Sequence, residues 1–330
     1  MNRGETTEGF PVVFSMGDPH GIGPEVILKA LAASRPSEIR PIIFGDGLYL
    51  ERLARDLELA SPLDDVEVVT TSRYEYPPRW GQLDAQAGMW ALRCLEDAVG
   101  YCRDQNLPLL VTGPVNKRAI SLAGSSSPGQ TELVASFFPG LNPVMTFFSD
   151  RMKILLATVH IPLKSVPLAL DRDDLIYKAE IFIQSLLQIG IPQPCLALCA
   201  LNPHASEEGL FGTEEETILE PVVQALCQRH GRDVLSGPFP SDTLFRRVLA
   251  NQFDGVIALY HDQGLIPLKL VAFESAVNVT LGLPLIRTSP DHGTAFDIAG
   301  TGAADSGSME AAIRWGMRLA STTETPSKEI

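Results

Sequence analysis

The chain has 330 residues, of which 45% are hydrophobic and 20% charged, and its formal net charge is −14. These values are typical of a globular protein of about two domains, at roughly 150 residues per domain, and they exclude a disordered tail or a fibre. The acidic balance disfavours sequence-independent nucleic-acid binding, which needs lysine and arginine to displace phosphate counterions. A negative net charge is compatible with a local basic pocket for a small anion. We therefore expect chemistry on a small molecule and not nucleic-acid binding.

Short apolar, β-branched runs alternate along the chain with longer amphipathic stretches. The short runs predict strands at 12–15, 41–44, 66–70, 108–112, 143–148, 154–159, 195–201 and 256–260. The amphipathic stretches predict helices at 24–33, 48–57, 82–103, 173–187 and 214–229. This alternation predicts an α/β fold with a mostly parallel sheet covered on both faces. Ligands bind such sheets beyond the carboxyl ends of the strands, so the residues that follow each strand carry the functional prediction.

Features that would direct the chain to another compartment are not found in the sequence. The first ten residues contain two acidic residues and no apolar stretch, which argues against a targeting segment. No apolar run approaches the roughly 18 residues of a membrane helix. The five cysteines form no C-x-x-C pair and lie in apolar or helical surroundings, which is typical of buried thiols in a reducing compartment. We therefore expect a soluble, cytoplasmic protein with neither nucleic acid nor membrane as a partner.

Histidines directly follow three of the predicted strands. His160 comes after 154–159, His204 lies three residues past 195–201, and His261 comes after 256–260. Taken singly, each is better explained as a residue that ends a strand. Because the carboxyl ends of parallel strands meet at one edge of a sheet, the three together favour a divalent metal site with a position left open for substrate.

Two segments with glycine and proline also follow strands and are suited to an anion. The first, 16–25 (Met-Gly-Asp-Pro-His-Gly-Ile-Gly-Pro-Glu), joins a strand to a helix, where free backbone N–H groups and the helix dipole can meet negative charge. It lacks both G-x-G-x-x-G and a P-loop lysine, and a plain strand–helix turn explains it equally well. The second, 112–117, ends in Lys117, for which a solvated position is equally plausible.

The last third of the chain places basic residues next to apolar segments. Lys269 lies on what the pattern predicts to be a strand continuing after His261, and Asn278 and Arg287 flank the apolar run 279–286. Basic side chains beside buried segments are costly unless they are paired or bind an anion. These residues therefore predict a phosphate or carboxylate site. The small residues of 291–300 would allow the backbone to approach a flat ligand closely.

With these motifs assembled, the chain resembles, nearly end to end, the 4-hydroxythreonine-4-phosphate dehydrogenases of pyridoxal phosphate biosynthesis. Among the motifs that carry the resemblance are Gly-Asp-Pro-His-Gly-Ile-Gly-Pro-Glu (17–25), Gly-Gln-Thr-Glu (129–132), Leu-Asn-Pro-His-Ala (201–205), Gly-Thr-Glu-Glu (212–215), Tyr-His-Asp-Gln-Gly (260–264) and Asp-His-Gly-Thr-Ala (291–295). The last also resembles the adenosine-side loop of isocitrate and isopropylmalate dehydrogenases, which bind NAD(P) without a Rossmann fingerprint.

The resemblance implies a fold of two α/β/α domains with a cleft between them, like that of isocitrate and isopropylmalate dehydrogenases. The first domain would comprise 1–145 and 285–330 and carry both termini and the cofactor loop. The second would comprise 146–284 and carry the metal ligands and the dimer interface.

The resemblance also implies the residues of the site. The metal ligands would be His160, His204 and His261, in a site completed across a homodimer interface by a histidine of the partner. The substrate contacts would be Gln130, Thr131, Lys269, Asn278 and Arg287, and the catalytic residues Lys269 and Asp242. The cofactor contacts would be His292, Gly293, Thr294 and Asp297.

One position departs from the family, whose motif is usually Gly-His-Thr-Glu. This chain has Gln130, which can donate a hydrogen bond to an oxyanion but does not titrate near neutral pH. The resemblance implies oxidation of 4-phosphooxy-L-threonine by NAD or NADP with a zinc, magnesium or cobalt ion, followed by decarboxylation to 3-amino-2-oxopropyl phosphate. The alternatives are a sister dehydrogenase of 4-phosphothreonate or 4-phosphoerythronate, a three-histidine zinc hydrolase, and a non-catalytic phosphometabolite-binding protein.

Overall fold

The computed structural model describes residues 9–34, 38–60, 62–125, 127, 129–231 and 233–321. The chain divides into two compact units. The first consists of the chain up to Pro143 together with Leu283–Ala320, and the second consists of Val144–Gly282.

Strands and helices alternate through most of the chain. The strands are β1 (Phe10–Ser15), β2 (Ile39–Gly45), β3 (Glu67–Thr70), β4 (Leu109–Thr112), β5 (Val144–Phe148), β6 (Lys153–Leu156), β7 (Leu196–Cys199), β8 (Leu235–Phe239), β9 (Gly255–Ala258), β10 (Val277–Leu281) and β11 (Ile286–Pro290). The α-helices are α1 (Gly23–Ser34), α2 (Gly47–Asp56), α3 (Ala85–Gln105), α4 (Lys117–Leu122), α5 (Gln130–Ser136), α6 (Val166–Ala169), α7 (Arg172–Gln188), α8 (Glu220–His230), α9 (Ser241–Leu249), α10 (His261–Ala272) and α11 (Gly307–Ala320). A π-helical turn, Glu215–Leu219, precedes α8.

The strands of the first unit are parallel and lie in the order β3-β2-β1-β4-β11. Successive side chains of a strand point to opposite faces, and the neighbours Leu109 and Leu110 of β4 show what covers each face. Leu110 belongs to the core formed with α3, whose residues Leu92, Leu95 and Val99 share one side of that helix. Leu109 lies against α11, where a Cβ on Gly316 would come within 2.6 Å of it. Helices therefore cover both faces of this sheet.

The strands of the second unit lie in the order β10-β5-β6-β9-β7-β8. The pairs β10–β5 and β5–β6 are antiparallel and the others are parallel. Buried residues of α9 and α10, including Leu244 and Leu268, pack in one core with β5, β6, β7 and β9. On the other face, Phe182 of α7 packs edge to face against Phe148 of β5, with ring centroids 6.1 Å apart. The predicted α/β class with a mostly parallel, helix-covered sheet is confirmed.

Two features of the fold differ from the sequence prediction. Lys269 lies on α10 and not on a strand, because Leu265, Leu268 and Ala272 are spaced to bury one helical face. The predicted run 279–286 is not one element, since it contains the end of β10, a turn and the start of β11. Among the residues that the structure describes, no helix combines the length and the apolarity that crossing a bilayer requires.

Candidate active site

The carboxyl edge of the second unit's sheet carries the three histidines on two pockets. His160 and His261 line the first, of about 300 Å³, and their ring centroids are 5.9 Å apart. His204 lines the second, of about 330 Å³, together with Asp242. The two pockets are neighbours, because Tyr260 lines both of them. The strand ends thus bring two of the histidines together and leave the third on the neighbouring pocket.

Two of these histidines have one ring nitrogen paired with a carboxylate. Nδ1 of His261 lies 2.7 Å from Oδ1 of Asp262, and Nδ1 of His204 lies 3.2 Å from Oε1 of Glu207. A carboxylate on Nδ1 favours the tautomer whose Nε2 lone pair is available to a metal, and this pairing is common in metal sites. In the described part of a single chain, no three His, Cys, Asp or Glu side chains come close enough to hold one ion. The donor chemistry therefore fits a divalent metal, and the geometry of one chain supplies an incomplete set of ligands.

The backbone around His204 is held in an unusual conformation. All five residues of 204–208 have φ between 45° and 71°. This left-handed region costs L-residues roughly 1–2 kcal/mol each, so the surrounding structure must hold the segment in place.

Glu215 supplies that support from the π-helical turn. Its buried carboxylate accepts hydrogen bonds from the backbone N–H groups of Leu201 (2.8 Å) and Asn202 (2.7 Å) and from Nδ2 of Asn202 (2.8 Å). Ser206 Oγ also donates to the carbonyl of Gly212. The segment that carries His204 is therefore tied at both of its ends.

Arg287 of β11 is the centre of a separate candidate site, in the first unit. The side chain is only 5% exposed. Its Nε and Nη2 donate to Oγ1 of Thr112 at 2.9 and 2.7 Å, and Nη2 also donates to Oε1 of Gln130. Thr112 in turn donates to the same Gln130 oxygen at 2.7 Å, and Gln130 Nε2 donates to the carbonyl of Gly113 at 2.9 Å. Thr131, the next residue of α5, is buried beside this network.

The hydrogen-bond partners of the Arg287 guanidinium described above are all neutral. Burial lowers the pKa of Arg287 to about 10, and the negative charge of Glu132 acts in the opposite direction. When a buried cation forms hydrogen bonds only with uncharged oxygens, much of its charge is not compensated. This lowers the free energy of unfolding. An anion bound at this position would supply the missing charge.

The remaining predicted substrate residues lie in the second unit. Lys269 is half-buried on α10, with Nζ 5.8 Å from the ring centroid of Phe273. Asn278 lies on β10, and its Oδ1 is buried without a hydrogen-bond partner among the described residues. A buried acceptor of this kind is suited to a ligand donor.

The predicted cofactor residues lie in an irregular segment of the first unit. Nε2 of His292 is buried without a described hydrogen-bond partner, and a Cβ on Gly293 would meet nothing within 4 Å. The carbonyl of Thr294 accepts from the backbone N–H of Ile22 at 3.0 Å, while Asp297 is exposed. The orphaned nitrogen and the open space at Gly293 fit a loop on which a cofactor can lie.

Of the two interpretations left open for the neighbouring segment 16–25, the structure favours the plain strand–helix turn over the anion site. The backbone N–H of Asp18 donates to the carbonyl of Pro114, that of His20 to Oδ1 of Asp18, and that of Gly21 to the carbonyl of Asp18. With Ile22 bonded to Thr294, the N–H groups of this turn are already used within the protein. The segment therefore packs two loops together and offers few donors to an anion. Burial also raises the pKa of the Asp18 carboxyl.

Comparison with known proteins places this geometry in a family. A family sequence model described as "Pyridoxal phosphate biosynthetic protein PdxA" matches residues 28–316. The chain belongs to the PdxA family. Among curated relatives, 4-hydroxythreonine-4-phosphate dehydrogenase of Beijerinckia indica is 38% identical over 94% of this chain and 95% of its own length. D-threonate 4-phosphate dehydrogenase of Salmonella typhimurium is 39% identical over 94% of this chain and 98% of its own.

Solved structures of the PdxA family show the same fold. The crystal structure of 4-hydroxythreonine-4-phosphate dehydrogenase from Klebsiella pneumoniae is 36% identical, covers 94% of this chain and 98% of its own, and superposes with a TM-score of 0.81. The expected relationship to 4-hydroxythreonine-4-phosphate dehydrogenases is confirmed, and the chain is a dehydrogenase.

Two residues support this candidate site in roles that the sequence did not assign. Thr112 begins the segment 112–117 that was singled out for an anion, but its contact with Arg287 was not predicted. Glu215 lies in the Gly-Thr-Glu-Glu motif that carried the resemblance, but its contact with the backbone of 201–202 spans a loop and is not visible in the sequence.

Proposed function

We propose that this chain oxidises the hydroxyl of a 4-phosphorylated four-carbon acid with NAD or NADP and a divalent metal ion, and that 4-phosphooxy-L-threonine is its first candidate substrate. The product would be 2-amino-3-oxo-4-phosphooxybutanoate, which loses CO₂ to give 3-amino-2-oxopropyl phosphate. The observation that carries the proposal is the buried Arg287 of β11, whose described hydrogen-bond partners are neutral, in a chain of a dehydrogenase family.

Arg287, Gln130 and Thr131 would hold the phosphoryl group. The guanidinium supplies charge, while the amide of Gln130 supplies an N–H donor. Binding energy from this unreactive end of the substrate would hold its carbinol carbon in a fixed orientation. Asn278 and Lys269 would complete the substrate contacts.

His160, His204 and His261 would bind the metal ion, with one of the three coming from a partner subunit. When bound, the ion supplies Lewis acidity toward the substrate oxygen, and the nicotinamide supplies the hydride acceptor. Asp242, on the His204 pocket, is the proposed acceptor of the hydroxyl proton, and Lys269 is the proposed donor of the proton that carbon C2 takes up after CO₂ leaves.

The segment His292–Asp297 would bind the cofactor. The buried ring nitrogen of His292 would form a hydrogen bond with the cofactor, and Gly293 would leave room for the cofactor to approach the backbone. The domain formed by 1–145 and 285–330 is the proposed cofactor domain.

A homodimer is proposed from an exposed apolar face on α10. Ile266, Leu270 and Phe273 are 60%, 81% and 70% exposed and recur every three or four residues, so they share one side of the helix that begins at His261. Large apolar stripes on a protein surface mark interaction sites. A second copy seated there would lie beside the pocket of His160 and His261. The cytoplasmic location stays a prediction, supported by the five free thiols.

D-threonate 4-phosphate is the second candidate substrate. It is favoured by relatives of that name at 39% and 40% identity, which is as high as for the other activity. The two substrates differ at C2, which carries an ammonium in one and a hydroxyl in the other.

Parallel assays would decide between the substrates. The enzyme is treated with a chelator and reloaded with metal, and we expect it to form NADH with 4-phosphooxy-L-threonine. The value of kcat/KM for this substrate is then compared with the value for D-threonate 4-phosphate, and the larger value assigns the activity. A larger kcat/KM with the threonate would select the second candidate. Turnover with neither substrate, under zinc, magnesium or cobalt, would refute the proposal.

A further inference from the structure

The hydroxyl of Thr112 is the centre of the Arg287 network. Arg287 pairs with Leu110 in the parallel register of β11 and β4, and Thr112 lies two residues further along β4. Residues two apart on a strand share a face, so the Thr112 hydroxyl and the Arg287 side chain lie on the same side of the sheet. Thr112 itself is fully buried. Its position allows one hydroxyl to meet the guanidinium edge-on.

Every hydrogen-bonding capacity of that hydroxyl is used. A threonine hydroxyl has two lone pairs and one proton. The lone pairs accept from Nε and Nη2 of Arg287 at 2.9 and 2.7 Å, and the proton goes to Oε1 of Gln130 at 2.7 Å. Two N–H groups that converge on one oxygen, with a further bond from Nη2 to Gln130, restrict the plane of the guanidinium as well as its position. Nη1 is the edge of the group that these bonds leave toward a ligand.

Gln130 is oriented by the same contacts. Its amide nitrogen must face the carbonyl of Gly113, an obligate acceptor, and its oxygen must face the donors Arg287 and Thr112. The amide oxygen therefore has both lone pairs occupied, and one N–H of the amide nitrogen remains. Gln130 can offer this N–H to a ligand but no acceptor.

We infer that Thr112 is the positioning residue for Arg287, and that Thr112, Gln130 and Arg287 form a receptor that offers a ligand hydrogen-bond donors only. This inference rests on the proposed function and specifies the chemistry of its anion site. Because the partners of Arg287 in this triad are neutral, its charge stays available to the ligand. Such a receptor accepts a phosphoryl or sulfate oxygen and rejects an ammonium group.

Calorimetric titration of the full-length enzyme with inorganic phosphate tests the role of Thr112. Valine has the shape of threonine without the hydroxyl, so Thr112→Val should weaken phosphate binding and raise KM for the phosphorylated substrate roughly 10- to 100-fold, the usual effect of losing hydrogen bonds to a charged group. kcat should change much less, and NADH affinity should not change. Thr112→Ser keeps the hydroxyl and should retain affinity within about threefold.

A second substitution tests the neutral partners. Gln130→Glu places a carboxylate against Arg287 and should abolish phosphate binding by compensating its charge within the protein. Thr112→Ala replaces Thr112→Val if the valine variant does not fold, and should show the same loss. If phosphate affinity is unchanged in Thr112→Val or Thr112→Ala, or in Gln130→Glu, the inference is overturned. The proposed function is not affected by that result. An unsubstituted enzyme that oxidises its substrate but binds no phosphate would also overturn the inference, whereas absence of turnover refutes the proposed function.

Discussion

The ring centroids of His160 and His261 lie 5.9 Å apart at the carboxyl edge of β6 and β9. These strands are parallel neighbours in the sheet although a hundred residues separate them in sequence, so topology alone brings the two imidazoles together. His204 follows β7, on the other side of β9, and lies on the adjacent pocket. This arrangement agrees with the proposal that one of the three histidines of a metal centre comes from a partner subunit.

Removal of His204 tests that centre. His204→Ala should abolish metal-dependent NADH production and lower the zinc content of purified enzyme, because a catalytic set of three protein ligands becomes two. Elemental analysis and an NADH absorbance assay measure both effects. His230→Ala is the matched control, since His230 pairs with Glu180 away from this edge. Full turnover of His204→Ala after chelation would contradict the metal assignment.

Charge on the apolar face of α10 tests the dimer. Leu270→Asp should shift the enzyme from dimer to monomer in sedimentation velocity, because a carboxylate on an 81% exposed apolar position has no cost in a monomer and a large one in an interface. Dehydrogenase activity should fall as the dimer dissociates, because the proposed metal site takes one histidine from the partner subunit. Leu48→Asp, at a 49% exposed leucine of the first unit, should change neither. An unsubstituted enzyme that sediments as a monomer would contradict the interface.

Arg287→Met tests the buried cation. The methionine removes a buried charge, so we expect a thermal midpoint within a few degrees of the unsubstituted enzyme and loss of at least 100-fold in kcat/KM. Inorganic phosphate should raise the midpoint of the unsubstituted enzyme by mass action and leave that of Arg287→Met unchanged. A phosphate-induced rise of equal size in both proteins would place the anion elsewhere.

The buried thiols predict a pH dependence of stability. Burial raises the pKa of Cys102 and of Cys199 from 9.0 to about 12. Between these values the unfolded chain has released the thiol protons and the folded chain has kept them, so stability falls as pH rises above about 9.

Urea midpoints at pH 8 and pH 10 measure this effect. The decrease should be smaller in Cys199→Ala, which is destabilised at both pH values by the lost side chain. The same decrease in the variant and in the unsubstituted enzyme would show that Cys199 does not contribute.

The sequence predicted the elements whose local pattern agrees with the fold. All eight predicted strands are present, and all but β3, which is partly exposed, are mostly buried runs. Three strands were not predicted: β8, whose sequence Leu-Ser-Gly-Pro-Phe is short and interrupted by glycine and proline, and β10 and β11, which were taken as one apolar run. α10 was mistaken in part for a strand because Gly264 and Pro267 disfavour a helix locally. Gly264 lies where a Cβ would come within 3.1 Å of Ile154, Leu156 and Ala258, so close packing on the sheet requires it.

The site was predictable as residue types and not as contacts. Arg287 was noted as a costly basic residue beside an apolar run, and its partners Thr112 and Gln130 are distant in sequence and adjacent only through the β4–β11 register. The left-handed backbone at His204 has no glycine to announce it.

The π-helical turn at Glu215–Leu219 has a consequence for how the family can diverge. A π-turn contains one residue more than an α-helical turn, and each residue of a helix turns it by about 100°. Deleting a single residue after Glu216 would convert the segment to regular α-helix and rotate Glu215 away from the N–H groups of Leu201 and Asn202. The residues just before the segment 204–208 would lose their hydrogen bonds to Glu215, although His204 itself is unchanged. A deletion of one codon is therefore enough to remove the support of this segment.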